Sequence, residues 1–154
     1  MKRREWMVHA AALAATALAA RADAAPLPEA VVYKSPTCGC CNDWVKHLRA
    51  HGFAVKTMEV NDLGPVRQRF GVPDRLASCH TAVIGGYAVE GHVPAAAVKR
   101  LLAEKPSVVG ISVPGMPNGS PGMEGPRSEP FTVVVFDERG NAKVFESYRP
   151  PYKW

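Results

Sequence analysis

Ten residues constrain this chain more than any others: Ser35-Pro36-Thr37-Cys38-Gly39-Cys40-Cys41-Asn42-Asp43-Trp44. Three of the four cysteines fall within four consecutive positions. A short strand-forming run, Val31-Val32-Tyr33, precedes them, and an amphipathic pattern begins at Cys41, Trp44, Val45 and Leu48. The spacing predicts a buried strand over 31–34, a tight loop, and a helix from about Cys40 to His51 that stops at Gly52. Thiols at a helix start lie beside unpaired backbone N–H groups, which stabilise thiolate over thiol. Thiolates serve either redox exchange or a soft metal ion.

The elements after this loop limit the fold. Phe53 to Val60 alternates as a second strand, giving a β-α-β unit with a right-handed crossover. A short helix follows, opened by Asp62 and Pro65, ended by Gly71, and carrying Val66 and Phe70 as its apolar face. Thr81-Ala82-Val83-Ile84 and Tyr87-Ala88-Val89-Glu90 flank Gly85-Gly86 as a hairpin. Pro94 begins a third helix bearing Val98, Leu101 and Leu102, and Pro106 lies just past its end. The order β-α-β-α-β-β-α matches a thioredoxin or glutaredoxin core, an α/β fold with the thiol loop at the carboxyl end of a central strand. Residues 106–130 then hold six prolines and five glycines, with the near-duplicates Pro114-Gly115-Met116-Pro117 and Pro121-Gly122-Met123-Glu124. This reads as a long loop without regular structure. Phe131–Phe136 and Ala142–Tyr148 predict an added C-terminal hairpin over 131–148. The tail 149–154 has no assignable role beyond packing its aromatics back on the domain.

The N-terminus reads as a signal peptide over 1–24. Lys2, Arg3 and Arg4 precede an apolar run from Trp6 to Ala20, and Ala22-Asp23-Ala24 is a small-x-small cleavage site. The run is too short and alanine-rich for a comfortable membrane span, so no membrane insertion is expected after cleavage. Arg3-Arg4 also resembles a twin-arginine signal, so export follows the Sec or the twin-arginine route. Residues 25–154 then form one domain. The formal charge of the whole chain is +5, and the basic residues of the remaining domain are scattered, which argues against a nucleic-acid surface. In an oxidising compartment four cysteines can build a disulfide scaffold. Scaffold cysteines are normally spread to close long loops, however, and these are bunched, which points to function.

Cys38 and Cys41 have the C-x-x-C spacing, which can close a disulfide or chelate one ion. Two features depart from ordinary thiol-disulfide exchange. Cys40 adds a thiol between the pair, where it risks scrambling the disulfide. Thioredoxin-like enzymes place a proline just before the hairpin strand, facing the pair; here the run is Ala77-Ser78-Cys79-His80-Thr81. On this alignment Cys79 faces Cys38 and Cys41, with a nitrogen ligand nearby. Such a donor set suits copper(I) first and zinc second, zinc being served by Cys38, Cys41, Cys79 and His80. Thioethers also suit copper(I), which would give Met116 and Met123 a role. Cys40 adjoins Cys41, so bridging thiolates and more than one copper per chain are expected. Against these stand plainer readings: Cys40 as a small buried hydrophobe, Met116 and Met123 as packing residues, and Met58 packed on its strand. His47 and His51 are expected as exposed residues near a helix C-terminus. His92 precedes a helix and either reaches the site or caps that helix.

Taken together, Tyr33 to Cys41, Trp44, His47, Ser78-Cys79-His80-Thr81, Glu90-Gly91-His92-Val93-Pro94, Gly115-Met116-Pro117 and Ser120 to Glu124 resemble the CopG-type copper-resistance proteins. That group has long been filed as a domain of unknown function. The resemblance covers essentially the whole chain after the signal peptide. It implies a periplasmic, thioredoxin-like protein that binds copper, interconverts Cu(I) and Cu(II), and works alongside copper efflux or redox proteins. It carries over Cys38, Cys40, Cys41 and Cys79 as ligands, with Met116, Met123, His80 and His92 as further candidates, and Cys38/Cys41 as the redox pair. The readings left open beside it are a thiol-disulfide oxidoreductase and a non-catalytic copper chaperone.

Overall fold

The computed structural model describes residues 25–154; the expected signal peptide, 1–24, lies outside the described residues. The elements are β1 (Ala30–Lys34), α1 (Gly39–Ala50), β2 (Val55–Glu59), α2 (Gly64–Arg69), a 3-10 turn (Asp74–Leu76), β3 (His80–Ile84), β4 (Tyr87–Glu90), α3 (Ala95–Glu104), β5 (Gly110–Ser112), β6 (Phe131–Phe136) and β7 (Ala142–Tyr148). The fold is mixed α/β. All the strands join one seven-stranded sheet in the order β2-β1-β3-β4-β5-β6-β7. β1 runs parallel to β2 and antiparallel to β3, which is antiparallel to β4.

The alternation of side chains along the strands divides the apolar residues between two faces. On one face Val32, Ala82, Ile84, Val89, Ile111 and Val133 pack against Trp44, Val45 and Leu48 of α1 and Ala97, Val98 and Leu101 of α3. Trp44 and Leu48 are fully buried, each side chain stabilising the fold by about 1.5–3 kcal/mol relative to exposure. On the other face a smaller cluster of Val72, Leu76, Ala88 and Phe136 forms beneath the segment that follows α2. Helix α1 begins one residue earlier than the sequence suggested and ends just before Gly52, whose φ of +91° is open to glycine at little cost. Helix α2 buries no residue, so its expected apolar face is only partly covered.

Three expectations are corrected. The segment 106–130 is not without regular structure: Gly110–Ser112 form β5, parallel to β4 and antiparallel to β6, and so carry the C-terminal hairpin into the main sheet. Gly110 is required there, because a Cβ would lie 2.0 Å from the Ala88 carbonyl oxygen. Met58 is 40% exposed on edge strand β2 rather than packed. His47 is half-buried rather than exposed, and its Nε2 accepts a hydrogen bond from the Ala95 N–H at the start of α3 (3.0 Å). The tail does pack back: Trp154 donates Nε1–H to the Gly119 carbonyl (3.0 Å) and stacks with Tyr152. Among the described residues no helix is long and apolar enough to cross a membrane.

Candidate metal centre

The site forms where the start of α1 meets the start of β3 and the segment after β4. Cys38 occupies the N-cap of α1 in an extended conformation, with no side-chain cap, so the first-turn N–H groups remain free to act on the sulfurs. Cys41 lies one turn in and is fully buried, whereas Cys40 points to the half-exposed side. Cys38 and Cys41 are joined in a disulfide, and Cys40 and Cys79 are free.

Cys79 reaches this group from far along the chain. Its Sγ lies 3.6 Å from Cys41 Sγ and 3.9 Å from Cys40 Sγ, and Cys40 Sγ is 3.6 Å from Cys38 Sγ. On its other side Cys79 Sγ is 3.0 Å from His92 Nε2 and 3.4 Å from His80 Nδ1. Two groups therefore share one thiol: the four sulfurs, and Cys79 with the two imidazoles, each with donor atoms mutually within 4.8 Å.

The surroundings set the protonation of these groups. His92 Nδ1 lies 2.8 Å from the Pro121 carbonyl, which can only accept, so Nδ1 carries the proton and Nε2 turns its lone pair to Cys79. Burial lowers the pKa of His92. Burial, followed by the neighbouring His92, holds His80 well below the usual imidazole range. The His80 ring packs on Trp44, with centroids 4.3 Å apart, and its Nε2 is buried with no hydrogen-bond partner among the described residues. Burial first, and the adjacent Cys40 second, push the Cys79 thiol up to about 12. Cys79, His80 and His92 are thus neutral, desolvated donors that a soft cation would stabilise.

The two Gly-Met pieces border the site. Ser78 Oγ donates to the Gly115 carbonyl at 2.5 Å, which ties the residue before Met116 to the residue before Cys79. Gly122 lies so close to α1 and His92 that a Cβ would fall 2.7 Å from the Cys40 carbonyl oxygen. Met123 is half-buried and Met116 is 53% exposed. The structure thus brings together Cys38, Cys40, Cys41, Cys79, His80 and His92, and sets the backbone of both methionine pieces beside them. His47 and His51 pair with each other, with ring centroids 4.3 Å apart, and are not part of either donor group. Sequence reasoning missed Pro121, which orients His92, and the buried pair Arg67–Glu90. A lone acid at the end of the apolar run Tyr87-Ala88-Val89 was the available signal for Glu90.

Residues 76–123 match the family described as "Protein of unknown function, DUF411". Among curated proteins none matches the chain. A solved structure described as "Copper resistance protein copG- Form 2" is 48% identical, with a TM-score of 0.75, over 80% of this chain and 99% of that one. The chain belongs to the CopG-type copper-resistance family. The structure described as Form 1 of the same protein is likewise 48% identical, with a TM-score of 0.74 over 79% of this chain and 98% of that one.

Proposed function

We propose that the chain is a periplasmic copper-binding protein of copper resistance. In this reading it has a thioredoxin-like core, takes copper as its cargo at the cysteine site, and interconverts Cu(I) and Cu(II). The observation that carries it is the position of Cys79, within 3.9 Å of two sulfurs and 3.4 Å of two imidazole nitrogens. Four sulfurs and two nitrogens, none forming a salt bridge, make a soft donor set that favours copper(I) over zinc. His80 supports the fit through Nδ1, which lies 3.4 Å from Cys79 Sγ. The fixed tautomer of His92 supports it too. The element order and the parallel β1–β2 pair support the thioredoxin-like description. The signal-like N-terminus and a disulfide support an oxidising compartment.

In the proposed mechanism the chain's own residues set how many thiolates are on offer. With Cys38–Cys41 oxidised, only Cys40 and Cys79 can ionise. Reduction by an external dithiol, which leaves as its own disulfide, supplies two electrons and two protons and returns two thiols, so all four sulfurs become available. Bound copper supplies one-electron chemistry that a dithiol lacks. Recruiting Cys79 as a thiolate releases its proton to solvent, while the Pro121 carbonyl keeps the proton of His92 on Nδ1 and leaves the Nε2 lone pair turned to the site. Met116 and Met123 are assigned as thioether donors from the bordering loop. Cys40 serves as a bridging thiolate, which implies more than one copper per chain.

Copper quantified by atomic emission on the reduced chain tests this. More than one ion per chain is expected, falling on substitution of Cys79→Ser; a ratio that never exceeds one refutes the bridged site. The disulfide itself favours a second reading, a thiol-disulfide oxidoreductase using Cys38 and Cys41. Insulin reduction at a rate independent of copper would select it.

A further inference from the structure

Glu90 is fully buried at the end of β4, and no step proposed above uses it. Its carboxylate lies on the sheet face opposite His80, directly beneath the turn that leads into β3. Oε1 accepts from Arg67 Nε of α2 at 2.9 Å and from the backbone N–H of Ser78 at 2.7 Å. Oε2 accepts from Thr81 Oγ1 at 2.5 Å. The same Arg67, with its side chain only 17% exposed, also donates Nη2–H to the carbonyl of Ser78. Both backbone polar groups of residue 78 are therefore held by the two members of one ion pair. They belong to successive peptide planes, so holding both fixes the direction in which the chain delivers Cys79. Gly91, at φ +75°, lets β4 close on this turn; a Cβ there would lie 2.6 Å from Ser78 Cβ.

We propose that the Glu90–Arg67 pair positions Cys79: by clamping residue 78 from both sides, it holds the neighbouring thiol at the point where three sulfurs and two imidazoles meet. A buried ion pair is an expensive way to join a helix to a sheet, because both charges must leave water and apolar residues of similar volume often serve as well. Its expense is accounted for if the charges do something apolar residues cannot, namely satisfy and orient a bare turn. That turn contains no proline to stiffen it. The role of the thiol rests on the copper reading given above, but its placement does not, and the two can be tested apart.

With the Cys38–Cys41 disulfide intact and metal removed by chelation, only Cys40 and Cys79 can react with iodoacetamide. The ratio of their alkylation rates, read peptide by peptide by mass spectrometry, reports the placement of Cys79. Arg67→Met is expected to raise the Cys79:Cys40 ratio about tenfold, the lower end for losing a hydrogen bond to a charged group. Arg67→Lys should recover part of it, and Glu90→Gln, which keeps an acceptor for Ser78 N–H, should raise it less. Val98→Ala in the α3 core lowers stability without touching the turn and should leave the ratio at its original value. If Arg67→Met does not fold, the uncharged pair Glu90→Gln with Arg67→Met is measured in its place, with the same expectation. A ratio unchanged in these variants, or raised equally by Val98→Ala, overturns the proposal. Copper(I) affinity by chelator competition is measured in parallel. A raised alkylation ratio with undiminished affinity upholds the clamp and counts against Cys79 as a ligand.

Discussion

Substituting Gly122 by alanine probes how tightly the methionine-bearing loop is seated on the sulfur site. The backbone φ there is +87°, and a Cβ would lie 2.7 Å from the Cys40 carbonyl oxygen, 2.8 Å from the Trp44 nitrogen and 3.2 Å from His92 Nδ1. Positive φ costs an L-residue about 1–2 kcal/mol, and the stiffer unfolded chain returns about 0.4–1 kcal/mol. Gly115 isolates that balance, since its φ is +70° but nothing lies within 4 Å of its Cβ position. At Gly122 two of the obstructing atoms are α1 backbone, so the loop must retreat, by about 0.7 Å or more to reach ordinary contact distance. The retreat carries the Pro121 carbonyl away from His92 Nδ1, now at 2.8 Å, and an imidazole left buried without that partner costs about 1–3 kcal/mol. Gly115→Ala should therefore lose about 0.5–1 kcal/mol, and Gly122→Ala about 2–4 kcal/mol. For a domain of this size the second value lowers the melting temperature by about 10 °C. Urea and thermal unfolding of the metal-free chains provide the measurement, with Cys40 alkylation, expected to rise only in Gly122→Ala, as a local readout. Equal losses in the two variants would refute the close seating of the loop.

Trp44→Phe removes the Nε1–H donated to the buried Val93 carbonyl at 2.8 Å, and urea unfolding should show a loss of about 1–3 kcal/mol. Cys40→Ser leaves the Cys38–Cys41 disulfide in place; insulin reduction should survive, while the copper ratio by atomic emission falls. His47 is lowered to about 4 from 6.5, by burial and then by His51, so the folded state disfavours its proton. Its contribution is complete above pH 6.5 and is lost as pH falls toward and through 4. Solvent around the half-exposed ring screens the effect, leaving about 1–2 kcal/mol. His47→Gln keeps an acceptor for Ala95 N–H but does not titrate, so its urea midpoint should fall less between pH 7 and pH 4.5 than that of the unsubstituted chain. Trp154→Ala removes the bond to Gly119 and the stack on Tyr152; limited proteolysis within 118–129 should accelerate, with little change at α1.

The amino-acid sequence alone determined what depends on neighbours a few positions apart. Val31 to Leu48 reads as strand, thiol loop and helix because its apolar residues recur at i, i+3, i+4 and i+7. Gly85-Gly86 reads as a hairpin because few other residues accept positive φ twice in succession. From that element order even the arrival of Cys79 at the trio was legible. Tertiary structure decided the remainder. β5 is three residues long, too short to show a period, and is a strand only because β4 and β6 bond it on both sides. The partners of His92, Ser78 and Trp154 lie 29, 12 and 35 positions away. Such pairings leave no mark in local spacing, because their free energy arises only when packing removes water from both groups at once.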